Sequence, residues 1–251
     1  MIPVSVIILT KNEEKKIIDC LKGLKDFNEI IAIDDNSTDS TIEKIKSFDK
    51  TIKVIDKSLD GSFSEQRNFG LSKSKNEWVF FVDADEVVSK KLAEEIEKKI
   101  SEKNIDGYLI RREDIFLGKK MKGGDVGNVW LTRLGKKSKG KWKGDVHEEW
   151  KIDGNISRLV NPIRHNSHKN LKAFIEKINF YSTLRARELK SKGITCSFLD
   201  IILYPKLKFI NLYFIKMGFR DGLHGLVHAI FMSMYSFLVR GKLYQMNRND
   251  K

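Results

Sequence analysis

Apolar residues in the first hundred positions fall into short runs separated by stretches of helical period. Residues 4–9, 29–33, 51–55 and 78–82 are strand-sized runs. Between them, residues 11–25 place Ile17, Ile18, Leu21 and Leu24 on one helical face, and residues 38–48 do the same with Ile42, Ile45 and Phe48. Residues 64–73 form a short helix. Ser89 stands where a cap belongs, ahead of a helix carrying Leu92, Ile96 and Ile100. Short apolar strands alternating with helices predict an α/β fold, with a doubly wound, mostly parallel sheet covered on both faces.

The pattern changes after residue 106. Residues 107–112 and 129–134 read as strands among long loops rich in Gly, Lys and Trp. From 170 onward the chain reads as helical and aromatic-rich, with breaks at Pro205 and near Gly218. The organisation expected is a catalytic domain over 1–168, split into a nucleotide-sugar-binding half (1–106) and an acceptor half (107–168), followed by a helical extension over 169–251. The opening residues have no basic n-region and no small-residue cleavage site, so they read as a first core strand and not as a signal peptide. Cys20 and Cys196 alone make neither a disulfide framework nor a metal cluster, which fits a reducing compartment.

Charge divides the chain. Residues 1–110 carry 18 Lys/Arg against 22 Asp/Glu, whereas 111–251 carry 29 against 12. A basic second half suits nucleic acid, an anionic membrane or a phosphorylated substrate.

Three strands run out into polar residues: Thr10, Lys11, Asn12 and Glu13 after the first; Asp34, Asp35 and Asn36 after the second; Asp83, Ala84, Asp85 and Glu86 after 78–82. In an open parallel sheet, ligands bind beyond the carboxyl ends of the strands, so these residues converge on one crevice. In an extended segment Asp83 and Asp85 point the same way, and both carboxylates can reach one hard divalent cation that neutralises nucleotide phosphates. The Thr10–Glu13 stretch is not a G-x-G-x-x-G cradle, which argues against a dinucleotide oxidoreductase.

Four blocks together, residues 4–13, Asp34-Asp35-Asn36-Ser37-Thr38-Asp39, Gln66-Arg67-Asn68 and Asp83-Ala84-Asp85-Glu86, resemble family 2 glycosyltransferases of the GT-A fold. Val146-His147-Glu148, residues 161–165 and the basic aromatic C-terminus resemble, more narrowly, bacterial enzymes that glycosylate the lipopolysaccharide inner core. The resemblance implies a UDP-sugar donor, with glucose the expected hexose, and Mg²⁺ or Mn²⁺ as cofactor. It places Thr10, Asn12 and Glu13 around the base and ribose. Asp35 accepts from the uracil N3–H, and Arg67 lies at the base or diphosphate. Asp83 and Ala84 lie beside the ribose, Asp83 and Asp85 ligate the metal, and His165 is a third ligand.

The resemblance also implies single displacement with inversion, for which Glu148 is the expected general base and His147 its rival. The acceptor is a glycan or lipid-linked glycan of the cell envelope. Alternatives are sugar transfer to polyprenyl phosphate and a non-catalytic nucleotide-sugar-binding membrane protein.

Residues 222–239 form an uncharged run of 18, at the lower limit of a membrane span, yet include His224 and His228. Interleaved aromatics and cations at 204–219 favour helices lying on an anionic membrane surface, giving a cytoplasmic protein peripheral on the inner face of the membrane. No RNA-binding signature appears and the acidic crevice repels phosphates, so no nucleic-acid partner is expected.

Overall fold

A strand covered on both faces needs apolar side chains at nearly every position, and this is how the first strand, the fourth and the second half of the second are built. The computed structural model describes residues 1–59, 62–127, 129–144, 148–168 and 171–248. Its strands and helices run β1 (Ile2–Thr10), α1 (Ile17–Lys22), β2 (Phe27–Asp34), α2 (Thr41–Phe48), β3 (Lys53–Asp56), α3 (Phe63–Lys73), β4 (Trp78–Asp83), β5 (Glu86–Val87) and α4 (Lys90–Lys99). There follow β6 (Gly107–Phe116), β7 (Lys119–Lys120), β8 (Val129–Lys136), β9 (Gly140–Lys143), β10 (Glu149–Ile152), β11 (Ile156–Arg158) and β12 (Ile163–His168). The helices α5 (Leu171–Ser191), α6 (Phe198–Ile210) and α7 (Leu223–Arg248) complete the chain.

The chain divides into two compact units, one of Met1–Arg112 with Trp130–His165 and one of Glu113–Val129 with Asn166–Lys251. In the first, the main sheet runs β3-β2-β1-β4-β8-β6-β12-β5. Its β3-β2-β1-β4 half is parallel. Beyond it the sheet is mixed: β8 runs antiparallel to β4, and β12 antiparallel to β5. Ile7, Ile31, Ile33, Val79 and Phe81 pack on one face; Val6, Ile8, Ala32, Phe80 and Val82 pack on the other. Complete burial of side chains of this size contributes roughly 1.5–3 kcal/mol each. A Cβ on Gly70 would stand 2.8 Å from Ile7 Cγ2, so the absence of a side chain there lets α3 lie close on β1.

The first helix is shorter than its apolar period suggests. Residues 11–16 form a turn in which Asn12 adopts φ 54°, and the helix starts only where Ile17 N–H donates to the Glu13 carbonyl. Ser89 caps α4 as expected, its side chain accepting from Leu92 N–H.

In the second unit, two apolar clusters hold the helices together. Ala186, Leu189, Val239 and Leu243 form one, and Phe116, Met121, Phe174 and Ile178 the other. Pro205 does not break the chain; it sits inside α6, which passes directly into a π-type turn at Asn211–Ile215. A proline removes one N–H and crowds one carbonyl, and α6 tolerates both while a capping box of Ser197 and Asp200 secures its start. The break falls near Gly218, where Met217 and Gly222 take φ 55° and 58°. Among the described residues, no helix is long and apolar enough to cross a membrane.

Candidate active site

The parallel pairing aligns the strand ends. Thr10 of β1 is level with Asp34 of β2, and Leu9 with Asp83 of β4. The polar residues that follow therefore gather at one edge of the sheet.

They do different things there. Asp34 closes its own turn: its carboxylate accepts from Ser37 N–H at 2.7 Å and from Ser37 Oγ–H at 2.6 Å. Asn12 is a buttress between two strand ends, its Oδ1 accepting from Thr38 N–H at 2.8 Å and its own N–H donating to Ser37 Oγ. Glu13 N–H donates to Thr41 Oγ1, and its carboxylate lies 3.7 Å from Lys16 Nζ. Asp35 is buried and receives Lys11 Nζ at 2.7 Å and Leu59 N–H at 2.9 Å, one on each oxygen. Thr10 is buried too, but its hydroxyl has no hydrogen-bond partner among the described residues. An unanswered buried hydroxyl is costly, and a bound polar ligand answers it.

The Asp83-Ala84-Asp85 motif divides its labour. Asp83 is held between two guanidinium groups: Arg67 Nη2 donates to Oδ1 at 2.9 Å and Arg133 Nη2 to Oδ2 at 2.6 Å. Burial alone would raise its pKa, but the charges of Arg133 and then Arg67 prevail and hold it well below the usual carboxylate range. Arg133 also donates to Glu86 Oε1 at 2.9 Å, while Glu86 Oε2 accepts from Asp83 N–H. Glu86 is fully buried, and that burial pushes its pKa up in spite of Arg133. Ala84, buried between the two aspartates, leaves no bulk beside them.

Asp85 turns to other partners. Its Oδ1 lies 3.4 Å from His165 Nε2 and its Oδ2 3.3 Å from Lys16 Nζ. The meeting of residues eighty positions apart follows from the β5–β12 pairing, which sets His165 opposite Glu86. A carboxylate and an imidazole on one side of a polar crevice are of the right kind to hold a divalent cation, which would supply positive charge beside the phosphates of a bound nucleotide. Asp83, with both oxygens engaged by arginines, does not fit as a direct ligand in this arrangement. Among the described residues, no group of three His, Cys, Asp or Glu side chains forms a complete metal cage.

Glu148 comes to the same cluster from the loop before β10, and Arg67 Nε donates to its Oε1 at 3.1 Å. The Arg67 guanidinium also lies over the Trp142 ring, 4.6 Å from its centroid, and Trp142 stacks on Trp150 at 5.8 Å. Asn68, next in α3, clasps the Trp142 backbone through both its amide nitrogen and its oxygen. His147 lies outside the described residues, as do Asp145 and Val146.

Arg133 and Lys16 are the functional candidates that the sequence reading passed over. The available signal for Arg133 was a single cation inside the apolar stretch of β8. For Lys16 there was none beyond its place in a charged turn.

The glycosyl transferase family 2 model matches residues 5–151. A lipopolysaccharide core biosynthesis glycosyltransferase of Rhizobium meliloti is 29% identical over 250 residues, covering 97% of this chain and 93% of that one. An uncharacterised glycosyltransferase of Rickettsia typhi is 28% identical over 265 residues, covering 99% and 89%. The crystal structure of Staphylococcus aureus TarS 1–349 superposes with a TM-score of 0.50 at 16% identity, covering 99% of this chain and 92% of that one, a likeness of fold alone. The chain belongs to glycosyl transferase family 2 and is a glycosyltransferase with an α/β GT-A fold.

Proposed function

We propose that this glycosyltransferase transfers a hexose, glucose in the simplest reading, from a UDP-sugar to a cell-envelope glycan such as the lipopolysaccharide inner core, with inversion at the anomeric carbon. The observation that carries the reading is the juxtaposition of Asp85 and His165 at 3.4 Å, beside the Arg67-linked pair of Asp83 and Glu148. The lipopolysaccharide core enzyme of Rhizobium meliloti, aligned over nearly all of both chains, supports the acceptor class.

In this reading Asp85 and His165 hold Mg²⁺ or Mn²⁺. When bound, that ion supplies Lewis-acid neutralisation of the departing diphosphate. The residues of the chain do the rest. The Thr10 hydroxyl, unanswered within the described residues, and Glu13 face base and ribose. Asp35 accepts from the uracil N3–H through lone pairs left by Lys11 and Leu59, a donor that cytosine lacks. Asn12 acts indirectly, by fixing the loop that carries Thr38. Arg67 has an Nη1 with no partner among the described residues, a donor suited to a phosphate oxygen. Glu148 takes the proton of the acceptor hydroxyl as that oxygen attacks the anomeric carbon and the bond to the nucleoside diphosphate breaks. The acceptor is lipid-linked, and the enzyme works as a peripheral protein at the anionic inner face of the cytoplasmic membrane.

Calorimetry with UDP and CDP, in the presence of Mn²⁺, tests the nucleotide assignment. UDP is expected to bind at least tenfold more tightly, the order of one hydrogen bond to a charged group. Asp35→Ala should bring the two affinities together. Equal affinity of the unaltered protein for both nucleotides removes the assignment of Asp35.

A further inference from the structure

Helix α6 is apolar on the side that should be polar. Its inward face is accounted for: Ile201 packs against the α5–α7 cluster, Lys208 pairs with Asp125 at 3.0 Å, and Arg240 lies over the Tyr204 ring at 3.8 Å. Leu212, in the π-type turn that continues the helix, is buried. On the opposite side, Leu199, Leu203, Leu207, Ile210 and Phe214 recur at intervals of three and four, which sets them in one stripe. Leu199 is 64% exposed, Leu207 61% and Phe214 57%. No residue of α6 itself is buried. A helix apolar all round normally lies inside a core or against lipid, and a contiguous exposed apolar stripe marks an interaction surface.

The charges near the stripe select the partner. From 198 to 220 the one acid is Asp200, occupied in its capping box, against Lys206, Lys208, Lys216 and Arg220. Lys206 falls three residues after Leu203 and four before Ile210, on the border of the stripe; Lys216 and Arg220 are exposed just beyond its end. Pairing of this face with its copy about a two-fold axis at the centre of the stripe would set Lys206, midway between Leu199 and Phe214, beside its own copy. A layer of anionic headgroups over acyl chains satisfies both the cations and the leucines.

We infer that the face of α6 and its π-type continuation, from Leu199 to Phe214, is the membrane-docking surface of this enzyme, lying in the plane of an anionic bilayer with its leucines below the headgroups. The inference rests on the reading of a peripheral enzyme acting on a lipid-linked acceptor, and it locates the contact in five side chains that are not among those assigned to the donor.

Vesicle flotation of the full chain tests it, with phosphatidylcholine alone and with phosphatidylcholine mixed with phosphatidylglycerol. Binding should be stronger with the anionic lipid and leave a fraction resistant to high salt, because salt screens the lysines and not the leucines. Leu203→Ser with Leu207→Ser should reduce partitioning by about tenfold or more, the fold-change expected on losing the burial of two leucines. Lys206→Glu with Lys216→Glu should abolish the preference for anionic lipid. Circular dichroism and UDP calorimetry without vesicles verify that each variant is folded and keeps its donor site, so failure of the nucleotide reading shows separately from failure of the surface. Equal flotation of the unaltered and Leu203→Ser/Leu207→Ser proteins, or flotation of neither, overturns the inference. So does a concentration-dependent dimer, lost in that variant, together with no vesicle binding, which would assign the stripe to a second copy of the chain.

Discussion

Arg67 reaches Glu148 across 81 positions of sequence, its Nε donating to Oε1 at 3.1 Å, and the same guanidinium holds Asp83 at 2.9 Å. One planar group thus ties the acid assigned as general base to the first carboxylate of the Asp83-Ala84-Asp85 motif. Its planar fork presents Nε to one carboxylate and Nη2 to the other. Trp142 beneath the guanidinium and the Asn68 clasp on the Trp142 backbone fix the plane in which Arg67 lies. In the proposed reading, Arg67 therefore ties the position of the base to the carboxylate that neighbours the donor.

Arg133 stabilises the other side of Asp83. It is the nearest cation to the fully buried Glu86, so Arg133→Met leaves that carboxylate without its ion pair. Breaking a buried pair by removing one partner costs about 3–5 kcal/mol. Chemical denaturation should show a loss of that order for Arg133→Met and a smaller one for Arg133→Lys, with the affinity for UDP falling in both because Asp83 is less constrained. An Arg133→Met protein as stable as the unaltered one would mean that Glu86 is protonated and needs no cation.

Asp85 and His165 should act as a pair toward the metal. Lewis-acid stabilisation of a leaving diphosphate is worth several kcal/mol, so Asp85→Ala should lower turnover on the order of 100-fold or more. His165→Ala should raise the Mn²⁺ concentration needed for half-maximal activity while leaving activity at saturating Mn²⁺ higher than in Asp85→Ala. Metal titrations of turnover, with Mn²⁺ binding measured by calorimetry in the presence of UDP, check both. Full activity in excess chelator would refute the metal role.

Most of the first half of the fold was legible because strands buried on both faces leave unbroken apolar runs, and β1, β2 and β4 appear as such. Thr10, Asp34, Asp35, Asp83 and Asp85 stand out for the same reason, each lying at or just beyond the end of such a run. What could not be read depends on pairing between distant segments. Arg133 meets Asp83 because β8 turns antiparallel beside β4, with Leu134 opposite Phe80, and no local pattern announces that register. Asp34 and Asp35 look equivalent in sequence, yet one closes a turn and the other faces Lys11. The helix-like period at 11–16 is overridden because the backbone N–H groups of Asn12, Glu13 and Glu14 donate to the side-chain oxygens of Ser37, Thr41 and Asp39, which fixes a turn there. Pro205 misled in the opposite sense, since the capping box and continuation of α6 outweigh one missing hydrogen bond.

His228 should make the stability of the C-terminal unit depend on pH. It is buried between Phe116 and Phe174, with Asp125 3.7 Å from Nε2; Lys208 is bonded to that same Asp125, and Asp114 and Asp221 also act on it. Burial pushes the imidazole pKa below 6.5, against the pull of the three aspartates. A group with a depressed native pKa contributes stability that is present above its unfolded pKa and lost as pH falls toward the native value. Thermal unfolding midpoints should therefore drop as pH falls from about 7 to 5, through the ordinary histidine range. His228→Phe should flatten that part of the profile, and an unchanged difference between the two pH values would show that His228 is not its source.

Inversion by single displacement asks for one group beside the acceptor hydroxyl, and two candidates stand next to each other in sequence, His147 and Glu148. Glu148 is the one with a described position, linked by Arg67 to the site of the donor. That link leaves Oε2 as the oxygen that can take the proton, while Arg67 holds the carboxylate in place. General-base assistance contributes typically about 10²–10⁴-fold, so Glu148→Gln should lower kcat by that order. UDP affinity should stay near the unaltered value, because the amide oxygen can still accept from Arg67 Nε. His147→Ala separates the candidates. If it removes the base-dependent part of turnover and Glu148→Gln does not, His147 is the base, and the Arg67–Glu148 pair serves only to hold the loop. Product stereochemistry is the independent check: NMR of the glycoside formed from an α-linked donor should show a β linkage, and an α product would exclude single displacement whichever residue takes the proton.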